Sequence, residues 1–288
     1  MTTTVTTRPV TRVVTAQEAS EGAGVRIRRS IGTPELDHLD PFLLLDEFKS
    51  DRPSDYVAGF PDHPHRGFET VTYMLAGSME HQDHKGNRGH LVAGSVQWMT
   101  AGRGIIHSEM PRQDHGLMWG FQLWVNLPAR DKMQAPRYQD IGPERIPEVD
   151  GGGGVRVRVI AGERDGVTGP VSGVATNPLY LDVRIPAGGS FEQALPAAHN
   201  AFTYVFEGEA ALGAGPGADG RRVAAGQLAV LGEGERFAAR AGSEGARLLL
   251  VAAAPLREPV ARYGPFVMNT QEELQKAFRD FQRGTFLD

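Results

Sequence analysis

The stretch Asp62-His63-Pro64-His65-Arg66-Gly67-Phe68-Glu69-Thr70-Val71-Thr72-Tyr73-Met74-Leu75-Ala76-Gly77 decides how this chain is read. Its first half carries chemistry and its second half carries a repeat. His63 and His65 stand two residues apart, and on an extended strand such residues point to the same face. A partner stretch, Gly102-Arg103-Gly104-Ile105-Ile106-His107-Ser108-Glu109, offers His107 and Glu109 with the same spacing. Neighbouring strands carrying these pairs would aim three imidazoles and one carboxylate into one space. That donor set suits divalent first-row metals such as Fe, Mn, Ni, Cu or Zn.

The second half recurs downstream. Thr72-Tyr73-Met74-Leu75-Ala76-Gly77 reads beside Thr203-Tyr204-Val205-Phe206-Glu207-Gly208. Ala93-Gly94-Ser95-Val96-Gln97-Trp98-Met99 reads beside Ala225-Gly226-Gln227-Leu228-Ala229-Val230-Leu231, and Gly102 then falls beside Gly234. Two copies of one β unit account for this more simply than chance. Carried on to the ligand positions, the alignment sets His63 and His65 beside Ala194 and Pro196, and His107 and Glu109 beside Ala239 and Ala241. The second copy is thus expected to keep the scaffold and lack the site. Since the fold does not demand His or Glu at these places, their presence in the first copy points to chemistry.

Outward from these stretches the pattern is β throughout. Residues 23–29 alternate apolar and cationic side chains, residues 41–48 form a short buried run, and residues 121–127 alternate cleanly, each the signature of a strand. Glycines (36) and prolines (19) divide short strands at intervals of eight to twelve residues, as in a sandwich or barrel. The proline-punctuated residues 128–147 and the run Gly151-Gly152-Gly153-Gly154 read as a linker with a flexible tip. Only the tail departs from β structure. Thr270-Gln271-Glu272-Glu273 is a capping box ahead of Leu274, Ala277, Phe278 and Phe281, which share one helical face, with Gly284 as a stop.

Composition narrows the function classes. The 288 residues suffice for two domains. A net charge of −5 gives no global basic field for phosphates, so direct nucleic-acid binding is not expected. The absence of cysteine excludes disulfides, thiolate ligands and a thiol nucleophile, and fits a reducing compartment. The threonine-rich start lacks the apolar core of a signal peptide, and no run approaches the ~20 apolar residues of a spanning helix. A cytoplasmic, monomeric protein without membrane contact is expected. Structural zinc sites are usually closed and cysteine-rich, which argues for an open, reactive site here.

Other candidates carry alternative readings. His81 and His84 are placed two strands from the ligands, either at the pocket mouth or as solvated loop residues. His38, His90 and His115 read as surface or satisfied core residues. Phe68, Met74, Trp98 and Trp124 could wall an aromatic-sized cavity or fill ordinary core. Arg66 and Arg103 flank the ligand pairs, with an anion-attracting role and a structural hydrogen-bonding role both open.

At these residues the chain resembles the pirin family, a bicupin branch of the cupin superfamily. The matching stretches are residues 28–32, 39–44, 62–71, 97–111, 123–127, 257–260 and 264–270. The resemblance implies an all-β protein of two cupin barrels (double-stranded β-helix, jelly-roll) with a short C-terminal helix. The expected domains are a metal-binding cupin at 1–135, a linker at 136–154, and a metal-free cupin with the helix at 155–288. The family's ligands carry over onto His63, His65, His107 and Glu109. Iron, as Fe(II), is the implied metal, with Mn, Ni, Cu or Zn as alternatives. Some family members open the flavonol quercetin with dioxygen, and others act as transcriptional coregulators or enzyme-binding partners. Two functions follow as expectations. One is a quercetin 2,3-dioxygenase with Glu109 as catalytic base; the other is a metal- or redox-sensing regulator that binds a protein partner.

Overall fold

The computed structural model describes residues 5–213 and 220–287. The chain forms two compact units, and neither is continuous in sequence. One joins Gln17–Pro143 to the segment from Leu256 onward, and the other joins the segment ending at Ala16 to Glu144–Pro255.

The first unit holds a seven-stranded sheet in the order Arg137–Ile141, Val96–Thr100, Phe68–Ala76, Met118–Asn126, Phe42–Ser50, Val25–Ile31 and Gln17–Glu21. Its four-stranded sheet runs Phe60–His65, Ile105–Pro111, Ser78–Asp83 and Arg88–Val92. The two sheets pack face to face. Val25, Ile27, Phe48, Met74 and Met118 of the larger share a core with Met79 and Leu91 of the smaller. Burying such side chains contributes roughly 1.5–3 kcal/mol each.

The second unit folds one nine-stranded sheet around its core. Strands Asn200–Leu212 and Arg236–Ala253 run 13 and 18 residues and serve both layers. They bend where the register slips, between Val205 and Glu207 and between Gly208 and Ala210. Bulges of this kind re-aim a strand without ending it.

The repeat is visible in the strand register. Thr72 and Tyr73 pair with Gln97 and Val96, while Thr203 and Tyr204 pair with Ala229 and Leu228, as the sequence alignment places them. Turn glycines Gly77 and Gly208 both take positive φ, at 83° and 67°.

The expected boundaries need correction. Residues 136–154 are not a linker: they hold strand Arg137–Ile141, paired with Val96–Thr100, and strand Glu148–Asp150, paired with Arg156–Ala161. Strand Val10–Thr15 pairs with Gln227–Leu231, so the N-terminal stretch completes the second unit. The terminal helix Gln271–Gln282 packs in the first unit, not in the second. Its capping box is formed as expected, with Thr270 accepting from the Glu273 amide and the Glu273 carboxylate accepting from the Thr270 amide. Leu274 and Ala277 join Phe266, Met268 and Phe286 in a small core. Among the described residues, no helix is long and apolar enough to cross a membrane.

Candidate metal centre

Strand Phe60–His65 is the edge of the four-stranded sheet, and only an edge tolerates Pro64, which lacks an N–H to give to a second neighbour. It pairs antiparallel with Ile105–Pro111, setting His107 opposite His63 and Ile105 opposite His65. The register therefore delivers three imidazoles to one point. One ring nitrogen from each of His63, His65 and His107 lies within 4.8 Å of the others. The ring centroids stand 4.4–5.1 Å apart.

The protonation pattern suits a cation. His63 Nδ1 donates to the Pro61 carbonyl at 2.8 Å; since a carbonyl only accepts, Nδ1 carries a proton and Nε2 is the nitrogen left for a metal. Burial holds His65 well below the usual imidazole pKa, helped by His63 and opposed by a hydrogen bond to the Pro265 carbonyl. Burial, then His65, His63 and His81, does the same to His107. Both are thus neutral, the form that binds metal. His65 Nδ1 and both nitrogens of His107 are buried without a hydrogen-bond partner. Orphaned polar atoms of this kind are costly, and a bound metal ion would engage one nitrogen of each ring. The residues present therefore fit a divalent metal.

Glu109 is buried but stands outside that group of mutually close atoms. Its Oε1 accepts from the Thr72 hydroxyl at 2.9 Å, and Oε2 lies 3.5 Å from Gln122 Nε2. The Thr72 hydroxyl is also 2.6 Å from Gln122 Oε1, so one proton serves two acceptors. Thr72 and Gln122 were not anticipated from the sequence. The available signal is a pair of polar side chains on strands that otherwise face a core, opposite each other in register.

Glu109, His63 and His65 line a cavity of about 590 Å³, within the usual 300–1,000 Å³ range of small-molecule sites. Its apolar wall is Ile27, Leu44, Phe48, Phe60, Met79 and Trp124. Trp124 was expected there. Phe68, Met74 and Trp98 are buried core instead, although Phe68 supports the site by packing on Trp124 and His65 with centroids 4.3 and 5.1 Å apart. The cavity also reaches an ion-paired group that sequence reasoning missed. Arg29 grips Asp46 through two hydrogen bonds of 2.8 and 2.7 Å and reaches Glu21 at 2.8 Å. Burial pushes the Asp46 carboxyl up to about 6 against those Arg29 bonds.

The remaining histidines of this unit separate clearly. His38, His84, His90 and His115 are exposed. His81 is buried, lies two strands from His63 and His65 but directly opposite Glu109 on the next strand, stacks on Tyr138 at 4.7 Å and sits 3.6 Å from Asp140. Arg66 attracts no external anion. It is buried, donates to the Arg103 and Phe286 carbonyls and to Asp280 Oδ2, and lies over the Phe286 ring. It ties the histidine-bearing turn to the terminal segment. Next to it, Gly67 has φ 90°, and a Cβ there would strike the Val267 carbonyl.

The family model described as Pirin matches residues 24–125, and that described as Pirin C-terminal cupin domain matches residues 180–287. A Pseudomonas aeruginosa protein, named provisionally as a quercetin 2,3-dioxygenase, is 50% identical over 96% of this chain and 97% of its own. Human pirin (Homo sapiens) is 46% identical over 96% of this chain and 92% of its own. A crystal structure of quercetin 2,3-dioxygenase from Acinetobacter baumannii superposes with a TM-score of 0.89 at 33% identity, covering 97% of this chain and 98% of that one. With both family models matched and relatives similar along nearly the whole length, this chain belongs to the pirin family, bicupins of the cupin superfamily.

Proposed function

We propose that His63, His65, His107 and Glu109 hold one divalent transition metal, with iron the first expectation, and that the protein is a dioxygenase opening quercetin-type flavonols. The observation that carries this reading is the cavity of about 590 Å³, apolar on one side and opening on His63, His65 and Glu109. The names of the Pseudomonas and Acinetobacter relatives support the same substrate class.

When bound, the metal would supply a Lewis acid that lowers the pKa of a flavonol hydroxyl and a meeting place for substrate and dioxygen. Glu109 takes the hydroxyl proton onto its carboxylate, as a general base within the cavity. Thr72 and Gln122 keep that carboxylate oriented, the hydroxyl at 2.9 Å from Oε1. Ile27, Phe48, Phe60 and Trp124 present an apolar surface to a planar ring system and exclude water from the reacting end.

The test is direct. Metal-loaded protein mixed with quercetin in air should bleach the flavonol absorbance. No turnover with Fe, Mn, Ni or Cu would overturn the enzymatic reading for that substrate. His63→Ala and Glu109→Ala variants that lose neither metal nor activity would overturn the assigned ligands.

One observation favours a second reading, in which the metal's state is passed to a protein partner. Arg66 follows His65 in sequence and is bonded to Asp280 and to the Phe286 carbonyl, linking the ligand strand to the terminal helix. A regulator would then show metal- or redox-dependent partner binding without flavonol turnover.

A further inference from the structure

Two guanidinium groups reach the cavity, and they differ in what they hold. Arg29 is saturated by Asp46 and Glu21. Arg262, also in the cavity lining, is half-buried and makes no ion pair among the described residues. Its Nη1 donates to the Leu43 carbonyl at 2.7 Å, and its guanidinium carbon lies 5.1 Å from the centre of the Trp124 ring. That indole in turn meets His65 edge-on, with centroids 5.3 Å apart. Arg262 is therefore separated from a candidate metal ligand by the width of one aromatic side chain. No carboxylate bonds it: Asp46 and Glu21, which with Asp37 act on it through space, are taken by Arg29, Asp37 and Asp62 lie exposed, and Glu109 is held by Thr72. A guanidinium fixed on an aromatic face, with donors still free, is the side chain best suited to a planar carboxylate.

We propose that Arg262 is a specificity-determining residue that selects aromatic ligands carrying a carboxylate remote from the oxygens facing His63, His65 and Glu109. The inference rests on the reading of this cavity as a phenol-binding site, and it adds the charge of the ligand. A neutral catechol fills the apolar wall and the metal end only; its acidic counterpart also takes the donors of Arg262.

Binding rather than turnover tests it. Metal-loaded protein is titrated calorimetrically with 3,4-dihydroxybenzoate and with its methyl ester, which has the same ring and no charge. The wild type should bind the acid about tenfold tighter than the ester, the order expected of one charge-assisted contact in a part-buried site. Arg262→Gln should bring the two affinities together while leaving that of the ester unchanged, and Arg262→Lys should keep part of the preference. Equal affinities in the wild type, a preference for the ester, or a preference that survives in Arg262→Gln would each overturn the proposal. Ester affinity in each variant reports whether the cavity is intact. Absence of quercetin turnover together with a preserved acid preference would sink the dioxygenase reading and leave this one standing. Failure of both ligands to bind would overturn the phenol site and this proposal with it.

Discussion

The two barrels have the same register and opposite interiors. In the first, strand Phe60–His65 faces Ile105–Pro111 with His63 opposite His107. In the second, Ser190–Ala194 faces the start of Arg236–Ala253 with Phe191 opposite Ala239 and Gln193 opposite Phe237. The residues equivalent to His63 and His65 are therefore Phe191 and Gln193, not Ala194 and Pro196 as the sequence alignment has them. The loop that follows is longer in the second copy, and an ungapped alignment shifts by its extra residues. The conclusion about the second barrel is unaffected, because no histidine occupies either pair of positions. Phe191 and Phe237 pack with centroids 6.2 Å apart, and Ala239 and Ala241 complete the filling. Carbon in one copy replaces donor atoms in the other. What the difference teaches is that the scaffold is indifferent to this position: it stabilises the second barrel with apolar contacts and leaves the first with buried nitrogens of His65 and His107 that have no hydrogen-bond partner.

That contrast is open to experiment, and the largest effect should come from the ligands. His107→Ala should take metal content from one ion per chain to none, read by elemental analysis, with the fold retained in circular dichroism. A truncation inside the second barrel should do the reverse. Phe237→Ala should cost about 3–5 kcal/mol of stability by denaturant unfolding, the usual range for a buried Phe, with metal content unchanged. If it also released metal, the barrels would not be functionally separate.

A smaller effect is expected at Glu109. Glu109→Gln should lower flavonol turnover about 10²–10³-fold, of the order general-base catalysis supplies, while the three histidines keep some metal. Loss of all metal instead would make Glu109 chiefly a ligand.

The pH dependence of the metal-free protein follows from His65 and His107, both held well below the ordinary imidazole range by burial. Folded, they stay neutral; unfolded, they titrate near ~6.5. As pH falls below that value the unfolded chain takes up protons that the folded barrel refuses, so stability is present above it and declines below it. The slope should reach about 1.4 kcal/mol per pH unit for each histidine. Urea midpoints at descending pH check this, and a metal-free His65→Asn, His107→Asn double variant should flatten the profile. The smallest effect is expected from Thr72→Val, which removes the hydroxyl 2.9 Å from Glu109 Oε1. Turnover should fall about tenfold, one hydrogen bond to a charged group, with KM nearly unchanged.

Local features were legible because local interactions make them. Alternation at residues 121–127 follows from the two-residue period of a strand. The Thr270 capping box follows from amides that the first helical turn leaves free. The three-histidine cluster was legible for the same reason, since the two-residue spacings at His63 and His65 and at His107 and Glu109 survive any strand arrangement. The displacement of Glu109 from that cluster was not, because it depends on Thr72 and Gln122, which arrive from two other strands. Arg262 had no signal in the sequence: it reaches the cavity only because a C-terminal segment returns to the first barrel.

The sequence by itself determined the β repeat, the metal-capable donors, their absence from its second copy and the terminal helix. Tertiary structure alone decided which barrel each chain end completes. Strand Val10–Thr15 satisfies its backbone by pairing with Gln227–Leu231, and the terminal helix buries Leu274 and Ala277 against Phe266 and Phe286 while Asp280 meets Arg66. An edge strand or an amphipathic helix states locally that it needs a partner. Which partner it finds is settled by long-range packing, and here that packing brings Arg262 to the cavity beside the histidines.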